Sequence, residues 1–204
     1  MTIDRATKRA ETEAFFAPRA ASWDARFAGD GPAFRRAVAE LAPPHGGVVA
    51  DAGCGTGRAL PALTAAVGPA GLVVALDVTA EMLAALTAAG RRPDGHPVRA
   101  DCCELPIASG ALDAIFAGGL LPHVTDTHQC LAELARAARP GARLAIFHPI
   151  GRIALAARHG RTPSDDDPLD PRRLPATLGS AGWQAVAIDD GDDRYLAIAE
   201  RLAG

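Results

Sequence analysis

The chain has one lysine, Lys8, beside twenty arginines, and its net charge is only −3. It lacks the basic excess that favours a nucleic acid or an anionic membrane as partner, and we expect neither. No apolar run reaches the roughly 20 residues of a membrane span. The polar residues 1–5 lack the apolar core of a signal peptide, so we expect a cytoplasmic protein. Arginine in place of lysine, with abundant alanine, is typical of a GC-rich bacterial genome.

Cysteine and histidine also lack the spacings of a metal or disulfide framework. The four cysteines are Cys54, Cys102, Cys103 and Cys130. None forms a C-x-x-C pair, which argues against a zinc knuckle, and reduced thiols are expected. His123, Asp126 and His128 have spacing that resembles a metal site, but no fourth ligand accompanies them. We therefore expect no bound metal.

The most informative stretch contains three glycines between a short apolar run and a helix-forming segment. It reads Asp51-Ala52-Gly53-Cys54-Gly55-Thr56-Gly57. Glycines permit positive φ angles and let a ligand approach the main chain closely. Free amides at the start of a helix favour a negative group on that ligand. The stretch predicts a strand, a tight turn and a helix start that together bind a small ligand.

The glycine spacing narrows the kind of ligand. The dinucleotide fingerprint requires its third glycine where this chain has Arg58, and the Lys-Ser/Thr pair of a phosphate-binding Walker loop is absent. Asp51 is unfavourable next to a pyrophosphate but suits an ammonium group. A nicotinamide-dependent oxidoreductase remains the less favoured alternative, which titration with NADH would test.

Two more acids are predicted at the ends of later strands. The apolar run 72–76 ends in Asp77, and the segment 97–100 leads to Asp101. An acid at the end of the second strand is placed to bind both hydroxyls of a ribose. Repeated strand-helix units predict a doubly wound parallel sheet. The three acids should therefore meet at one edge of this sheet.

The spacing of the apolar residues and the positions of glycine and proline predict several further elements. We predict a charged helix at about 4–16, helices at 32–41 and 126–138, a turn at Arg139-Pro140-Gly141, a strand at 142–148 and a hairpin of 184–188 and 194–199.

On these residues the chain resembles the class I S-adenosylmethionine-dependent methyltransferases of the small-molecule type, whose first motif is an acid followed by G-x-G-x-G. The resemblance covers about 15–148 and includes Leu105-Pro106-Ile107 and the phrase from Leu134 to Leu144. It implies an α/β, Rossmann-like, mostly parallel seven-stranded sheet with helices on both faces and a C-terminal antiparallel hairpin. A helical cap, 1–42, would precede the S-adenosylmethionine-binding domain, 43–204.

The resemblance also implies the cofactor and its contacts. Asp51 would bind the ammonium group and Asp77 would bind the ribose. Asp101 and the backbone amide of Cys102 would bind the adenine. Trp23 and Asp24 resemble an aromatic-Asp pair that covers the cofactor in that family, although Trp23 equally suits a packing anchor. The cofactor-binding residues implied are Asp51, Gly53, Cys54, Gly55, Gly57, Asp77, Val78, Met82, Asp101, Cys102, Ala117, Gly118 and Trp23.

The implied reaction moves a methyl group from S-adenosyl-L-methionine to a small-molecule acceptor and leaves S-adenosyl-L-homocysteine. The main task of the protein is then alignment of the acceptor. A base is needed only when the acceptor loses a proton, and His123 and His148 are the candidates, with purely structural roles as the alternative. A non-catalytic S-adenosylmethionine-binding module and a homodimer both remain open.

Overall fold

The centre of the molecule is a seven-stranded sheet with strand order β3-β2-β1-β4-β5-β7-β6. The computed structural model describes residues 4–164 and 166–203. The strands are β1 (Val48–Ala52), β2 (Leu72–Asp77), β3 (His96–Arg99), β4 (Leu112–Gly118), β5 (Ala138–His148), β6 (Trp183–Asp190) and β7 (Tyr195–Arg201).

Strand direction confirms the predicted fold class. β1 pairs in parallel with β2 and β4, and the β2–β3 and β4–β5 pairs are also parallel. β7 runs antiparallel to both β5 and β6, so it is the one reversed strand. The central strands are almost continuously apolar because both faces of a parallel sheet are covered by helices.

Helices cover the two faces of the sheet in separate groups. The helices are α1 (Arg5–Phe16), α2 (Trp23–Arg26), α3 (Gly31–Leu41), α4 (Leu60–Val67), α5 (Ala80–Ala88), α6 (Thr127–Ala137), α7 (Arg152–Arg158) and α8 (Leu174–Ser180). Leu41, Leu63 and Leu86 pack α3, α4 and α5 into one apolar cluster, while Leu131 and Leu178 pack α6 and α8 into another. None of the described helices is long and apolar enough to cross a membrane.

The strand β5 begins earlier than the sequence predicts. The expected turn at Arg139-Pro140-Gly141 lies inside the strand, which starts at Ala138. Leu112 pairs with Ala138 whereas Ala114 pairs with Arg143, so the register shifts between them. Gly141 has a φ of 78° and accommodates the extra residues as a bulge. The turn residues therefore bend a strand instead of ending a helix.

The strand β3 ends sooner than predicted, at Arg99. Asp101 forms an isolated antiparallel bridge with Glu104, and one of its carboxylate oxygens accepts the Cys103 N–H at 2.8 Å. This bond turns the chain and fixes the Asp101 side chain just beyond the sheet edge.

Trp183 provides a test of the packing. It is fully buried, and its Nε1 donates to the Leu131 carbonyl at 2.9 Å. Trp183→Phe removes that bond and leaves a small cavity, so the free energy of unfolding should fall by about 1–3 kcal/mol. Val186 on the same strand is 57% exposed, and Val186→Ala should change it by less than about 0.5 kcal/mol. Urea denaturation measures both, and equal losses would contradict this account.

Candidate cofactor and acceptor site

The three glycines of the turn after β1 all adopt left-handed backbone. Gly53, Gly55 and Gly57 have φ angles of 70°, 55° and 79°. A Cβ at Gly53 would lie 2.9 Å from Leu120, and one at Gly57 would lie 2.8 Å from Leu60. Around Gly55, by contrast, no heavy atom of the described residues beyond its two chain neighbours lies within 4 Å of such a Cβ. Two glycines therefore allow close packing, and the middle one leaves space beside the main chain.

Asp77 ties this turn to the end of β2. One of its carboxylate oxygens accepts the Gly55 N–H and the other accepts the Thr79 N–H, each at 2.8 Å. A carboxylate offers about four lone-pair positions. Asp77 therefore keeps acceptor capacity for the hydroxyls of a ribose, as the sequence predicts.

The turn amides themselves are already engaged. The Cys54 N–H donates to the Leu76 carbonyl at 2.8 Å, and the Gly57 N–H donates to the Cys54 carbonyl at 2.8 Å. Together with the Gly55 amide, which donates to Asp77, these amides are satisfied by the protein itself. The free amides expected at the helix start for a negative group therefore do not include these three positions.

Asp51 is buried beside Asp77 without a counter-charge. Only 2% of its surface is exposed, and its Oδ2 has no hydrogen-bond partner among the described residues. Burial, and then the charge of Asp77, raise the pKa of Asp51 to about 8. Burial also raises the pKa of Asp77, against the two amide hydrogen bonds. A buried carboxyl group of this kind is stabilised by a cation, so this end of the site fits an ammonium group.

Asp101 lies with Val78 at the edge of a cleft of about 310 Å³. Its second carboxylate oxygen pairs with Arg5 Nε at 2.9 Å. Cys102, the next residue in the chain, is buried. Of the residues predicted for the adenosine part of the cofactor, Val78 and Asp101 thus line one cleft, and Arg5 and Arg9 of α1 line its opposite wall.

Three other predicted cofactor residues, Met82, Ala117 and Gly118, do not line this cleft. Met82 is buried in α5, and Ala117 is fully buried near the end of β4. Gly118 ends β4, where an added Cβ would lie 3.1 Å from the Phe116 ring. Whether these residues contact the cofactor stays a prediction.

Asp24 of the N-terminal segment binds the glycine turn. It accepts the Thr56 Oγ1 hydroxyl at 2.5 Å and pairs with Arg91 Nη1 at 2.5 Å. Arg91 Nη1 also donates to the Thr56 carbonyl at 2.8 Å. The ring of neighbouring Trp23 packs against Phe16 and Phe27 at centroid distances of 5.4 and 4.9 Å. Asp24 is therefore an anchor of the cap, and Trp23 as a cofactor contact stays a prediction.

Arg58 has a function that sequence reasoning missed. Its Nη2 donates to the Phe27 carbonyl at 2.6 Å and pairs with Asp30 at 3.1 Å. Its guanidinium carbon lies 4.8 Å from the centroid of the Phe34 ring. The residue that breaks the dinucleotide fingerprint thus joins the glycine turn to the cap. Its partners are remote in sequence, so no local signal identified them.

The two candidate bases lie at the carboxyl ends of β4 and β5. The His123 ring contacts Phe16 edge-on at 4.8 Å. This packing, followed by the charge of Lys8, lowers the pKa of His123 to about 4, although part of the residue remains exposed to solvent. Asp126 and His128 take other roles, since Asp126 caps α6 and His128 Nε2 lies 3.2 Å from the Ser180 carbonyl.

His148 is held in one tautomer by the main chain. Its Nδ1 lies 2.9 Å from the Ile150 carbonyl. Because a carbonyl can only accept, Nδ1 carries the hydrogen and Nε2 carries the lone pair. Burial lowers the pKa of His148. At neutral pH its Nε2 is therefore available to accept a proton.

Comparison with known proteins agrees with this geometry. A model of the methyltransferase domain matches residues 50–146. The demethylmenaquinone methyltransferase of Roseiflexus sp. (strain RS-1) is 41% identical over 121 residues, which cover 56% of this chain and 50% of that protein. The first three curated relatives are covered over 29%, 50% and 34% of their own lengths, so the chain spans at most half of each.

Solved structures show the same fold at low identity. The magnesium protoporphyrin IX methyltransferase of Synechocystis PCC 6803, solved with S-adenosylhomocysteine, aligns with a TM-score of 0.72 at 16% identity, over 95% of this chain and 99% of that one. An Aquifex aeolicus S-adenosylmethionine-dependent methyltransferase aligns with a TM-score of 0.67 at 21% identity, over 95% and 98%.

The fold and the three acids define a Rossmann-like nucleoside-binding domain of the methyltransferase type. Residues 50–146 match the methyltransferase domain, and the relatives and solved structures support a class I S-adenosylmethionine-dependent methyltransferase, a type of protein whose cofactor is S-adenosyl-L-methionine. The unpartnered oxygen of buried Asp51 and the space at Gly55 fit the methionine end of that cofactor.

The raised pKa of Asp51 predicts how stability depends on pH. In the ligand-free protein its pKa is about 8, against an ordinary value of 3.8. The folded state keeps a proton that the unfolded state loses, so stability should fall as pH rises from about 4 to about 8. Asp51→Asn should flatten this slope and make the variant more stable than the wild type at pH 8.

Urea unfolding at pH 5 and pH 8 measures this effect. Asp94→Asn makes the same chemical change just before β3, at the amino end of the parallel strands and away from the three acids. This control should keep the wild-type dependence of stability on pH. A slope unchanged in Asp51→Asn would show that another group titrates.

The contacts of Arg58 predict how strongly the cap, residues 1–42, is attached to the rest of the chain. Arg58→Met removes the bond to the Phe27 carbonyl and the pair with Asp30, which is only 26% exposed. The unfolding free energy should fall by about 1–3 kcal/mol, and protease cleavage within 17–30 should become faster. The exposed Arg92→Met is the control and should leave both unchanged. Cleavage at the wild-type rate in Arg58→Met would show that the cap is held elsewhere.

Proposed function

We propose that this protein transfers the methyl group of S-adenosyl-L-methionine to a small-molecule acceptor and releases S-adenosyl-L-homocysteine. The observation that carries the proposal is buried Asp51, whose Oδ2 has no partner in the described part of the chain. In this proposal Asp51 binds the ammonium group, Asp77 binds the ribose and Asp101 binds the adenine amino group. A pyrophosphate would instead bring negative charge against two buried carboxyl groups.

The cofactor would supply an already activated methyl group on its sulfonium. The residues of this chain would then orient the acceptor and remove its proton where one must leave. His148 suits that second task because its Nδ1 is committed to the Ile150 carbonyl and its Nε2 lone pair is available. His123 is a second candidate, since its packing against Phe16 favours the neutral imidazole.

A small acceptor is supported by two observations. The demethylmenaquinone methyltransferase among the relatives is named for a small-molecule acceptor. In the described part of the segment between β5 and β6, the helices are the short α7 and α8. We also retain the division into a cap, 1–42, and a cofactor-binding domain, 43–204, with the cap closing one side of the site through Asp24 and Arg58.

Isothermal titration with S-adenosylhomocysteine tests the cofactor assignment. The wild type should bind in the micromolar range, and Asp51→Asn should bind at least about tenfold more weakly, a difference of ~1.4 kcal/mol. Asp94→Asn should bind like the wild type. Saturable binding of NADH without binding of S-adenosylhomocysteine would overturn the proposal.

Product formation separates an enzyme from a cofactor-binding module. Small acceptors with an O–H, N–H, S–H or acidic C–H group are incubated with S-adenosylmethionine, and S-adenosylhomocysteine is quantified by mass spectrometry. Acceptor-dependent product that is reduced in His148→Ala supports both transfer and the assigned base. Cofactor binding without product across the whole set would favour a non-catalytic module.

A further inference from the structure

The cleft beside Asp101 has two walls of different origin. Its inner wall comes from the ends of β2 and β3 and the loop after β3, and its outer wall comes from α1. Residues that line the cleft include Arg5, Arg9, Val78, Asp101, Glu104 and Pro106. Its volume of about 310 Å³ is at the lower end of the range for small-molecule sites.

The charges around the cleft are balanced in pairs. Arg5 pairs with Asp101 at 2.9 Å and with Glu104 at 2.7 Å. Arg9 and Arg99 both pair with Glu13, at 2.9 and 3.2 Å. No excess of positive charge is left to attract a phosphate, whereas planar guanidinium groups stack on the faces of aromatic rings. The cleft therefore suits a neutral, planar heterocycle.

Asp101 is able to bind the helix and a ligand at the same time. One oxygen accepts the Cys103 N–H and the other accepts Arg5 Nε. Each oxygen has a second lone pair. An amino group on the heterocycle would thus share this carboxylate with Arg5, so a bound ring and a closed α1 would support each other.

The helix α1 is attached by contacts that open readily. None of its twelve residues, all of which are described, is fully buried. Besides the ion pairs with Arg5 and Glu13, the Thr12 hydroxyl donates to the His123 carbonyl at 3.1 Å. Partly exposed ion pairs contribute only about 0–1 kcal/mol each. At the C-terminal end of α1, Phe16 also packs against the rings of His123 and Trp23. The ion-paired first turns of α1 therefore open at little cost, and a ligand inserted behind them would add to their attachment.

We propose that α1 is the outer wall of the adenine subsite and that Arg5 is a cofactor-binding residue, which closes on Asp101 over the adenine ring. The inference rests on the proposed function, because it takes the adenosine of S-adenosylmethionine as the ligand of the cleft. It adds a contact from the cap that the family motifs do not include.

Hydrogen exchange of α1 and the affinity for S-adenosylhomocysteine test this role together. In the wild type, saturating S-adenosylhomocysteine should slow amide exchange within 5–16, whereas L-methionine, which has no adenine, should leave it unchanged. Arg5→Met should abolish most of that protection and weaken binding about tenfold. Lys8→Met removes a charge from the same helix outside the cleft and should bind within about twofold of the wild type.

Arg5→Lys provides a second variant that keeps the charge but loses the planar guanidinium. In this variant α1 should stay attached in the absence of ligand. Its affinity for S-adenosylhomocysteine, and the slowing of amide exchange within 5–16 by that ligand, should lie between those of the wild type and Arg5→Met. Unchanged affinity and protection in both Arg5 variants would overturn the role of Arg5 while leaving the proposed function intact. A wild type that binds no S-adenosylhomocysteine would reject the proposed function, and this inference with it.

Discussion

The carboxylate of Asp77 is the interaction on which the site depends. By accepting the amides of Gly55 and Thr79 at 2.8 Å, it fixes the glycine turn after β1 against the end of β2 and the start of α5. The glycine turn comes from an earlier part of the sequence than the junction of β2 and α5, and one side chain joins the two. A second carboxyl group, Asp51, lies buried in the neighbouring strand β1, and the charge of Asp77 disfavours its ionisation. The shape of the turn and the electrostatics of the site therefore have a common origin.

That juxtaposition is the physical basis of the proposed binding of an ammonium group. Two buried carboxyl groups disfavour each other's ionisation, and the pKa of Asp51 rises to about 8 as a result of burial and of Asp77. A bound ammonium group reverses this balance, because it stabilises the ionised form. The cofactor would then supply the charge that the fold leaves out. Ligand binding and deprotonation of Asp51 would be coupled, so affinity should increase as pH rises toward 8.

The sequence predicted the parts of this arrangement that depend on local patterns. Apolar runs, glycines and strand-end acids indicated the parallel sheet and placed Asp51, Asp77 and Asp101 at one edge, because parallel neighbours end together. The contacts of Arg5, Asp24 and Arg58 were not predictable in this way. Each joins the cap to a remote segment, and such pairings are set by tertiary packing. The early start of β5 was missed for a related reason, since the bulge near Gly141 is defined by its pairing with β4.

The strand order gives the molecule a boundary between β1 and β4. On one side, Asp51 and Asp77 lie in β1 and β2, and Asp101 follows β3; on the other, His123 follows β4 and His148 ends β5. Tyr195 at the start of β7 pairs with His148, so the terminal hairpin adjoins the side with the candidate bases and not the side with the three acids. Under the proposed function, substitutions in the hairpin would alter acceptor choice while the cofactor half stays unchanged. Such a division lets one cofactor serve many acceptors as the molecule diversifies.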